Sequence, residues 1–418
     1  MDTLLAPASW TGAEPEAQAP PRRRFHIETL ACVAAAAPIW LDFESSSAVS
    51  SPFHRYAWAS SWQETVGREE GAAPFIVVGR DHTGQAAFLW PLCRTRVGPL
   101  SVAQFVGGKH SNANFPLWRA DIAAALTKAD VRTLVADLAR ADRNVDMLVL
   151  RNQPKSWGNV PNPLALLPHA ESPTKVCYGA LSNDFEALYA ARVGSGTRKK
   201  LRQKERALGR RGPVSYWRAR SPQEIAGVLD AFFVQKAERM AQQGIANVFA
   251  KPGVREFLEA ASTRPDSRTG EPSIELYAAS VGDQIAATFA GVVSDSRFCG
   301  MFNSHVMNEM SNESPGELLL SYVVRTACER GLATFDLGIG EAGYKRAFCN
   351  ETDTLFDTVV PLTMLGSLAA PLWRSQIHIK RELKRSRLAS QIVEAARTRF
   401  AARGQPNVDT ARASGEPT

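Results

Sequence analysis

The stretch SPGE at residues 314–317 lies between a predicted strand and a predicted apolar helix, and its residue types suit two kinds of chemistry. As a helix start, Ser314 is a favourable N-cap, Pro315 suits the first helical position, and Glu317 completes an S-x-x-E capping box. As a binding site, Gly316 gives an anion access to free backbone N–H groups at the positive end of the helix dipole. Glycine early in a helix costs up to about 1 kcal/mol relative to alanine, so its presence needs a reason such as ligand access.

Acidic residues around SPGE weigh against an anion site. Glu309, Glu313 and Glu317 place negative charge beside the proposed phosphate position, and like charges repel at this range. The sequence therefore leaves helix capping and phosphate binding as alternatives.

Three further residues could act as general bases. His305 follows the predicted strand RFCGMFNS, and an imidazole suits proton transfer near neutral pH. Glu341 and Asp336, in and before the segment GEAGYKRAFC, are alternative bases. A lone histidine at the end of a strand is more often a surface residue, so a structural role stays open for it.

A polar loop in the first half, GGKHSNANF, contains the candidate substrate-binding residues His110 and Asn112. Glycines on one side of the loop favour a close approach to a cleft, but a simple connection between strands explains the same residues. Trp58 and Trp62 lie one helical turn apart upstream, and this spacing predicts core residues rather than a stacking platform for sugars.

Positive charge is concentrated in two predicted helices of a chain with net charge +7. Residues 197–211 contain eight Lys or Arg against Glu205 alone, and Arg198 and Arg202 are candidates for binding ligand phosphates in a cleft. A second basic segment spans residues 373–403. The first of these lacks the interleaved aromatic residues of a nucleic-acid stacking surface, so we expect no nucleic acid partner. A solvated helix face is the alternative for both.

Composition is typical of a globular protein of 418 residues, with 44% hydrophobic and 22% charged residues. Six scattered cysteines without metal-ligand spacing predict free thiols, no metal site and a reducing, cytoplasmic location. The first residues lack the pattern of a secretory signal, and no apolar run is long enough to span a bilayer.

The predicted order of elements repeats in outline. Helices, an antiparallel meander (residues 74–108), a helix and a buried strand (145–154) fill the first half. A strand, a helix ending near Gly244, three strands (273–305), the helix after SPGE and two further strands fill the second. This order permits two related domains side by side.

The chain resembles the CelD-like branch of the GNAT acyltransferase superfamily, which is related to the Fem-type aminoacyltransferases with two GNAT-like domains in tandem. The resemblance runs from about Phe25 to Leu362. It is carried by the stretches SPFHRYAWASSW, PLCRTRVG, GGKHSNANFPL, TRKKLRQKERAL, SPGELLLSYVV and FDLGIGEAGYKRAFC.

The resemblance implies an α/β (α+β) fold of two tandem GNAT-like domains, each a mixed, largely antiparallel sheet flanked by helices. The implied division is a disordered leader at 1–24, an N-terminal domain at 25–180 and a C-terminal acyltransferase domain at 181–362. A basic helical segment at 363–403 and a disordered tail at 404–418 would follow.

The resemblance also implies roles for site residues. In GNAT proteins the loop and helix start at this place hold the pyrophosphate of CoA, which assigns cofactor binding to Ser314, Gly316, Glu317 and Leu318. In Fem-type enzymes a lysine in a similar segment helps to polarise the carbonyl group under attack, and Lys345 occupies the matching place.

Tyr344, next to that lysine, could protonate a leaving thiolate, as tyrosine often does in GNAT enzymes. Pairing of Lys345 with Glu341 across one helical turn is the structural alternative for the lysine. Because acyl transfer in GNAT enzymes is usually direct, Cys299 and Cys349 are expected to be core residues.

The implied function is transfer of an acyl group, acetyl in the first instance, from acyl-CoA to an amine or hydroxyl of a small-molecule or saccharide acceptor. The saccharide follows from the association of CelD-like proteins with cellulose and exopolysaccharide production. One alternative is Fem-like transfer from aminoacyl-tRNA. The other is a non-catalytic accessory protein that contacts a membrane-bound polysaccharide synthase through the basic C-terminal helix.

Overall fold

The structure is a computed structural model, which describes residues 24–46, 48–294, 296–339 and 347–385. The strands are β1 His26–Leu30, β2 Ala48–Val49, β3 Ala73–Arg80, β4 Ala86–Val97, β5 Leu100–Phe105, β6 Leu117–Arg119, β7 Met147–Gln153, β8 Ser156–Trp157, β9 Val160–Pro161, β10 His169–Ala180, β11 Val214–Arg218, β12 Glu275–Val281, β13 Gln284–Ser294, β14 Arg297–His305, β15 Thr334–Ile339 and β16 Glu351–Pro361. The helices are α1 Val33–Ser45, α2 Tyr56–Trp62, α3 Ala120–Ala125, α4 Lys128–Ala141, α5 Phe185–Arg192, α6 Ser195–Gly209, α7 Pro222–Gln242, α8 Val254–Thr263, α9 Pro315–Glu329 and α10 Met364–Arg385.

One mixed sheet runs through both halves of the chain, in the order β1-β3-β4-β5-β7-β16-β10-β15-β14-β13-β12-β11. Helices flank this sheet, so the predicted mixed α/β class is confirmed. The strands pair antiparallel except for two parallel pairs, β5 with β7 and β14 with β15. Each parallel pair follows a meander and is joined by helical crossovers, as parallel neighbours require.

The two halves have the same order of elements and exchange their last strands. In the first half, the chain up to β10, β1 and α1–α2 precede the meander β3-β4-β5, and α3–α4 lead to β7. In the second half β11 and α7–α8 precede β12-β13-β14, and α9 leads to β15. β10 then pairs with β15, and β16 pairs with β7. Each half is therefore completed by a strand of the other, and the division into domains at residue 180 stays a prediction.

Several predicted elements are confirmed, and others were missed, of which β10 and α8 are the longest. The meanders and the helix α9 lie where the sequence predicts them. β10 was not predicted, because it contains Pro173 and polar residues, and its pairing is interrupted between Glu171 and Lys175. α8 was not predicted either, and it carries a large share of the contact between the halves.

The halves meet across a shared core beside α2 and α8. Trp58 is fully buried, and its ring lies edge-on to Phe257 at 5.1 Å between centroids. Gly253, which begins α8 with φ +77°, approaches so closely that a Cβ there would lie 2.9 Å from the backbone carbon of Thr65. Trp62 is also buried, so the prediction that both tryptophans are core residues is confirmed.

No helix in the described ranges is long and apolar enough to cross a membrane. These ranges also contain no cluster of three or more His, Cys, Asp or Glu side chains placed to bind a metal ion.

A buried polar cluster also joins the halves. Arg55 and Asp266 form an ion pair of 3.5 Å with both side chains about 5% exposed. Nearby, Glu44 accepts hydrogen bonds from the Tyr56 N–H at 2.5 Å and from the Ser267 hydroxyl at 3.3 Å. Burial raises the pKa of Glu44 to about 7, an effect larger than the lowering by the Tyr56 hydrogen bond.

We expect Glu44→Gln to change the pH dependence of stability. The raised pKa of Glu44 means that its contribution is fully present below about pH 4.5 and is lost as the pH rises through about 7. Glutamine stays neutral, so above that pH the free energy of unfolding of the variant should exceed that of wild type by on the order of 3 kcal/mol. Denaturant unfolding of both proteins across this pH range measures the difference, and parallel curves would contradict the assignment.

Candidate functional site

β14 and β15 separate after a short stretch of parallel pairing. They pair at Arg297 with Thr334, Phe298 with Phe335, and Cys299 with Asp336. Beyond these pairs β14 runs on to residue 305 and β15 to residue 339, with no further pairing between them in the described chain. The strands therefore leave a gap, and backbone groups along its edges can bind another molecule.

Asn112 lies in this gap. Its side-chain amide donates to the Gly300 carbonyl of β14 at 2.9 Å. On the opposite edge Gly338 has φ +68°, and a Cβ there would lie 2.6 Å from the Asn112 Nδ2 atom and 2.8 Å from the Gly300 oxygen. Only glycine fits this position, since a side chain would displace Asn112.

An ion pair fixes the closed end of the gap. Arg297 Nη2 lies 2.7 Å from Asp336 Oδ2, and Asp336 Oδ1 accepts the Gly338 N–H at 2.6 Å. Asp336 is 2% exposed. These contacts give the Asp336 carboxylate a structural role, whereas the sequence offered it as a base.

Helix α9 begins beside the open end of the gap, and its start differs from the predicted capping box. Pro315 occupies the first helical position as expected, but Ser314 is left-handed at φ +51° and its side chain makes no cap hydrogen bond. Instead the Ser314 Oγ lies 2.6 Å from the Lys204 ammonium on α6. The capping-box prediction is wrong because a left-handed N-cap turns the hydroxyl away from the first amides.

Gly316 offers an open amide at the start of α9. Its backbone does not have a positive φ, and the nearest atom to an added Cβ would be His305 Cδ2 at 3.8 Å. The amides of Glu317 and Leu318 bond to the Ser314 carbonyl, at 3.0 and 3.3 Å. No hydrogen bond reaches the Gly316 N–H from the residues described here. Among the four predicted cofactor residues, Gly316 therefore presents the accessible backbone donor.

A cavity of about 180 Å³, called here the α9 cavity, lies between this helix start and the end of β14. It is lined by Arg239, Asn303, Ser304, His305, Ser311, Ser314, Gly316 and Glu317. The structure thus brings together His305 with three of the predicted cofactor residues.

The two ring nitrogens of His305 contact different partners, the Val306 carbonyl and the Arg239 guanidinium. Its Nδ1 lies 2.9 Å from the Val306 carbonyl, which can only accept, so Nδ1 carries the proton. The Nε2 lone pair then faces the Arg239 guanidinium at 3.3 Å. Before His305 can take a proton at Nε2, Arg239 must move away.

The charge around α9 is more favourable to an anion than the sequence suggests. Arg211 pairs with Glu309 at 3.1 Å and approaches Glu313 at 3.9 Å. Lys204 and Arg239 add positive charge at the helix start and at the cavity wall. The acidic residues that weighed against a phosphate site are thus partly neutralised.

A second cavity, of about 110 Å³, lies between the halves and is called here the inter-half cavity. It is lined by Glu70, Lys109, His110, Asn112, Val248, Phe249, Lys251, Leu258, Met301 and Phe302. Asn112 thus reaches both this cavity and the gap. The predicted substrate residues His110 and Asn112 lie together in this cavity, and their role in substrate binding stays a prediction.

His110 is a neutral hydrogen-bond donor in this cavity. Its Nδ1 accepts from the Trp62 indole N–H at 3.2 Å, which leaves the proton on Nε2. Burial lowers the pKa of His110 to about 4, so the imidazole stays neutral at ordinary pH.

Arg198 and Arg202 line a third cavity, of about 410 Å³, which is separate from both others. Its lining comes from α5, α6, β11 and α9, all in the second half. Tyr216 on its wall donates to Glu205 at 2.9 Å. The structure does not bring these arginines together with His110 and Asn112, because α6 packs along α9 rather than across the inter-half cleft.

Three predicted catalytic residues, Lys345, Tyr344 and Glu341, lie outside the described residues, and their roles stay predictions. Cys299 and Cys349 are buried, as expected of core thiols, and burial raises the pKa of Cys299.

Sequence reasoning missed two cations on α7, Lys236 and Arg239. The Lys236 Nζ lies 3.0 Å from the Asn303 carbonyl, and burial lowers the pKa of this lysine to about 8. Their spacing of three residues places both on one face of a helix, which is the signal that could have paired them.

Comparison with known proteins bears on the segment that holds the gap and α9. Residues 195–346 match the family model described as an acetyltransferase (GNAT) domain. This segment is thus similar in sequence to GNAT-type domains. It runs from α6 through β11–β15, so the Gly316 amide and the α9 cavity fall inside the GNAT match. No curated protein matches the sequence.

Solved structures share the fold at low sequence identity. A crystal structure of FemX is 10% identical, with a TM-score of 0.56 over 82% of this chain and 99% of that chain. The C-terminal domain of a putative lysylphosphatidylglycerol synthetase from Agrobacterium fabrum is 12% identical, with a TM-score of 0.47 over 81% and 95%. A tandem GNAT protein from the clavulanic acid biosynthesis pathway is 13% identical, with a TM-score of 0.43 over 81% and 99%. The likeness to FemX concerns the fold of nearly the whole chain.

The two glycines of the site should respond oppositely to alanine. Gly316→Ala places a Cβ in ordinary van der Waals contact with His305 at the start of a helix, so the melting temperature should hold or rise, by the equivalent of up to about 1 kcal/mol. Gly338→Ala forces a left-handed alanine against Asn112 and should cost at least about 1–2 kcal/mol. Thermal and denaturant unfolding measure both variants. An equal loss in both would show that Gly316 is required by the fold and not by a ligand.

Proposed function

We propose that the chain is an acyl-CoA-dependent acyltransferase whose donor lies along the gap between β14 and β15. The observation that carries the proposal is the open Gly316 amide beside the point where these strands part. The GNAT match over the same residues supports it. Acetyl is the proposed acyl group, as the resemblance to GNAT enzymes implies.

The pyrophosphate of the donor would bind at the start of α9. The Gly316 N–H can donate to a phosphate oxygen there, where the helix dipole favours negative charge. Lys204 and Arg239 supply cations on either side. The pantetheine chain contains amide groups, which would lie along the part of β14 that extends beyond its pairing with β15.

The acceptor would enter from the inter-half cavity. Phe249 and Phe302 give this cavity an apolar floor, and Lys109, Lys251 and His110 give it a polar rim. Such a lining suits a ring with both apolar faces and hydroxyl groups. We propose a sugar or polysaccharide precursor, following the resemblance to CelD-like proteins, with its amine or hydroxyl directed at the gap.

Acyl transfer would be direct. The acceptor nitrogen or oxygen attacks the thioester carbonyl carbon, the carbon–sulfur bond breaks, and CoA leaves as a thiolate that takes up a proton. Lys345 is proposed to stabilise the developing oxyanion and Tyr344 to supply the proton. An anion at the Gly316 amide would compete with His305 for Arg239, and this exchange would free the His305 lone pair to act as a base.

Donor binding tests the role of Gly316. Calorimetric titration with acetyl-CoA and with CoA should give micromolar affinity for wild type, since a pyrophosphate meets an open amide and two cations. Gly316→Glu fills the approach with bulk and charge and should weaken binding at least about tenfold. Gly316→Ala is the matched control and should bind within a few-fold of wild type.

Two results would overturn the donor site. One is unchanged affinity in Gly316→Glu. The other is a folded wild-type protein that binds neither acetyl-CoA nor CoA, which would leave SPGE as a helix start and favour a non-catalytic accessory role.

The cation at the helix start gives an independent test. Lys204→Met removes the ammonium that contacts Ser314 and should weaken CoA binding about fivefold, the equivalent of about 1 kcal/mol. Lys199→Met removes an exposed lysine of the same helix and should leave affinity unchanged. Equal effects from both variants would mean that α6 acts through its overall charge rather than through Lys204.

Transfer from aminoacyl-tRNA is a second candidate, and the fold shared with FemX favours it. Filter binding with charged and uncharged tRNA, in competition with acetyl-CoA, separates the two donors. Preferential binding of charged tRNA that acetyl-CoA does not displace would support this candidate over an acyl-CoA donor.

A further inference from the structure

Helix α10 carries an apolar face that points away from the protein. Nine large apolar side chains are exposed in the described part of the chain, and five of them lie on this helix. They are called here the outer stripe: Met364, Leu365, Leu368, Leu372 and Ile379. Met364 is 87% exposed, Leu368 78% and Leu372 69%.

The five side chains occupy one face. At 100° per residue, Met364, Leu368, Leu372 and Ile379 fall within about 80° of one another, and Leu365 adjoins them. The stripe spans 16 residues of helix, or about 22 Å from the first to the last. It is therefore continuous and long enough to lie along a surface.

The opposite face of α10 fixes the orientation of the helix. Ala370 and Ile377 are buried in a cluster with Val149 and Val359 of the sheet. Gly366 packs so tightly that a Cβ there would lie 1.9 Å from the Asp146 carbonyl. Because this face is locked to the sheet, the helix cannot rotate to bury the outer stripe.

The charge of α10 selects among possible partners. Residues 364–385 contain five Lys or Arg against Glu382, a net charge of +4. Two copies of this helix placed face to face would bring like charges together, which costs free energy. An anionic lipid surface complements the charge and accepts the apolar side chains at the same time.

We propose that α10 docks the protein on an anionic membrane surface, with the outer stripe inserted at the level of the headgroups. The helix lies in the interface and does not span the bilayer, in keeping with its charge. A contiguous exposed apolar patch on the surface of a protein is typical of such docking sites. This proposal goes beyond acyl transfer and does not depend on the acyl donor.

Vesicle flotation with the full chain tests the proposal. Wild type should bind vesicles of phosphatidylcholine mixed with phosphatidylglycerol, and binding should fall on adding salt. Leu368→Gln/Leu372→Gln should weaken binding at least about tenfold. The matched control is Val234→Gln, which removes an apolar side chain of α7 that is 59% exposed, and it should bind as wild type does.

Several outcomes would overturn membrane docking. If the double variant binds the vesicles as well as wild type does, the outer stripe does not insert into the membrane. If wild type binds equally well, and independently of salt, to vesicles of phosphatidylcholine alone, the charge of α10 does not contribute to docking. A dimer in light scattering that the double variant abolishes would assign the stripe to a second copy. A clear drop in the melting temperature of the double variant would show that another part of the same chain covers the outer stripe.

Discussion

The candidate site depends on the end of pairing between β14 and β15. Two parallel strands normally continue their hydrogen-bond ladder, but here the ion pair of Arg297 with Asp336 and the left-handed turn at Gly338 hold the ends apart. The gap opens towards the place where α9 begins, and side chains of Asn112 and Lys236 reach the Gly300 and Asn303 carbonyls along its β14 edge.

The exchange of strands between the halves explains why the site has contributions from both. β16 completes the first half and β10 completes the second, so the two parts of the sheet cannot shift independently without breaking pairs. Phe257 of α8 packs edge-on against the His110 ring of the loop that also holds Asn112, with 5.6 Å between the ring centroids. The side chain of Asn112, in the first half, donates to the Gly300 carbonyl of β14, in the second half.

The sequence predicted correctly those elements that depend on residues close together in the chain. Alternating apolar residues and hairpin turns located both meanders, and Pro315 located the start of α9. The cap predicted at Ser314 is absent because the residue is left-handed and its hydroxyl contacts the Lys204 ammonium of α6 instead of the first helical amides. A side chain more than a hundred positions away cannot be recognised from an S-x-x-E pattern.

The sequence also did not predict which elements lie next to each other, because contacts between distant parts of the chain determine this. β10 reads as polar and contains Pro173, yet it is a central strand because β15 and β16 flank it. Arg198 and Arg202 were expected in the cleft, but their position follows from the packing of α6 on α9. The pairing of His305 with Arg239 depends on α7 crossing β14, which no spacing along the chain reveals.

The net charge of the protein acts locally rather than as a diffuse field. On α6 Lys204 is directed inward, to the start of α9, while Arg211 at the end of the helix neutralises Glu309. On α10 the basic residues accompany an apolar face that the sheet cannot cover. The basic helix α6 thus contacts the start of α9 within the site, whereas the basic helix α10 presents an exposed apolar face. The positive charge of the protein is therefore divided between two helices with different surroundings.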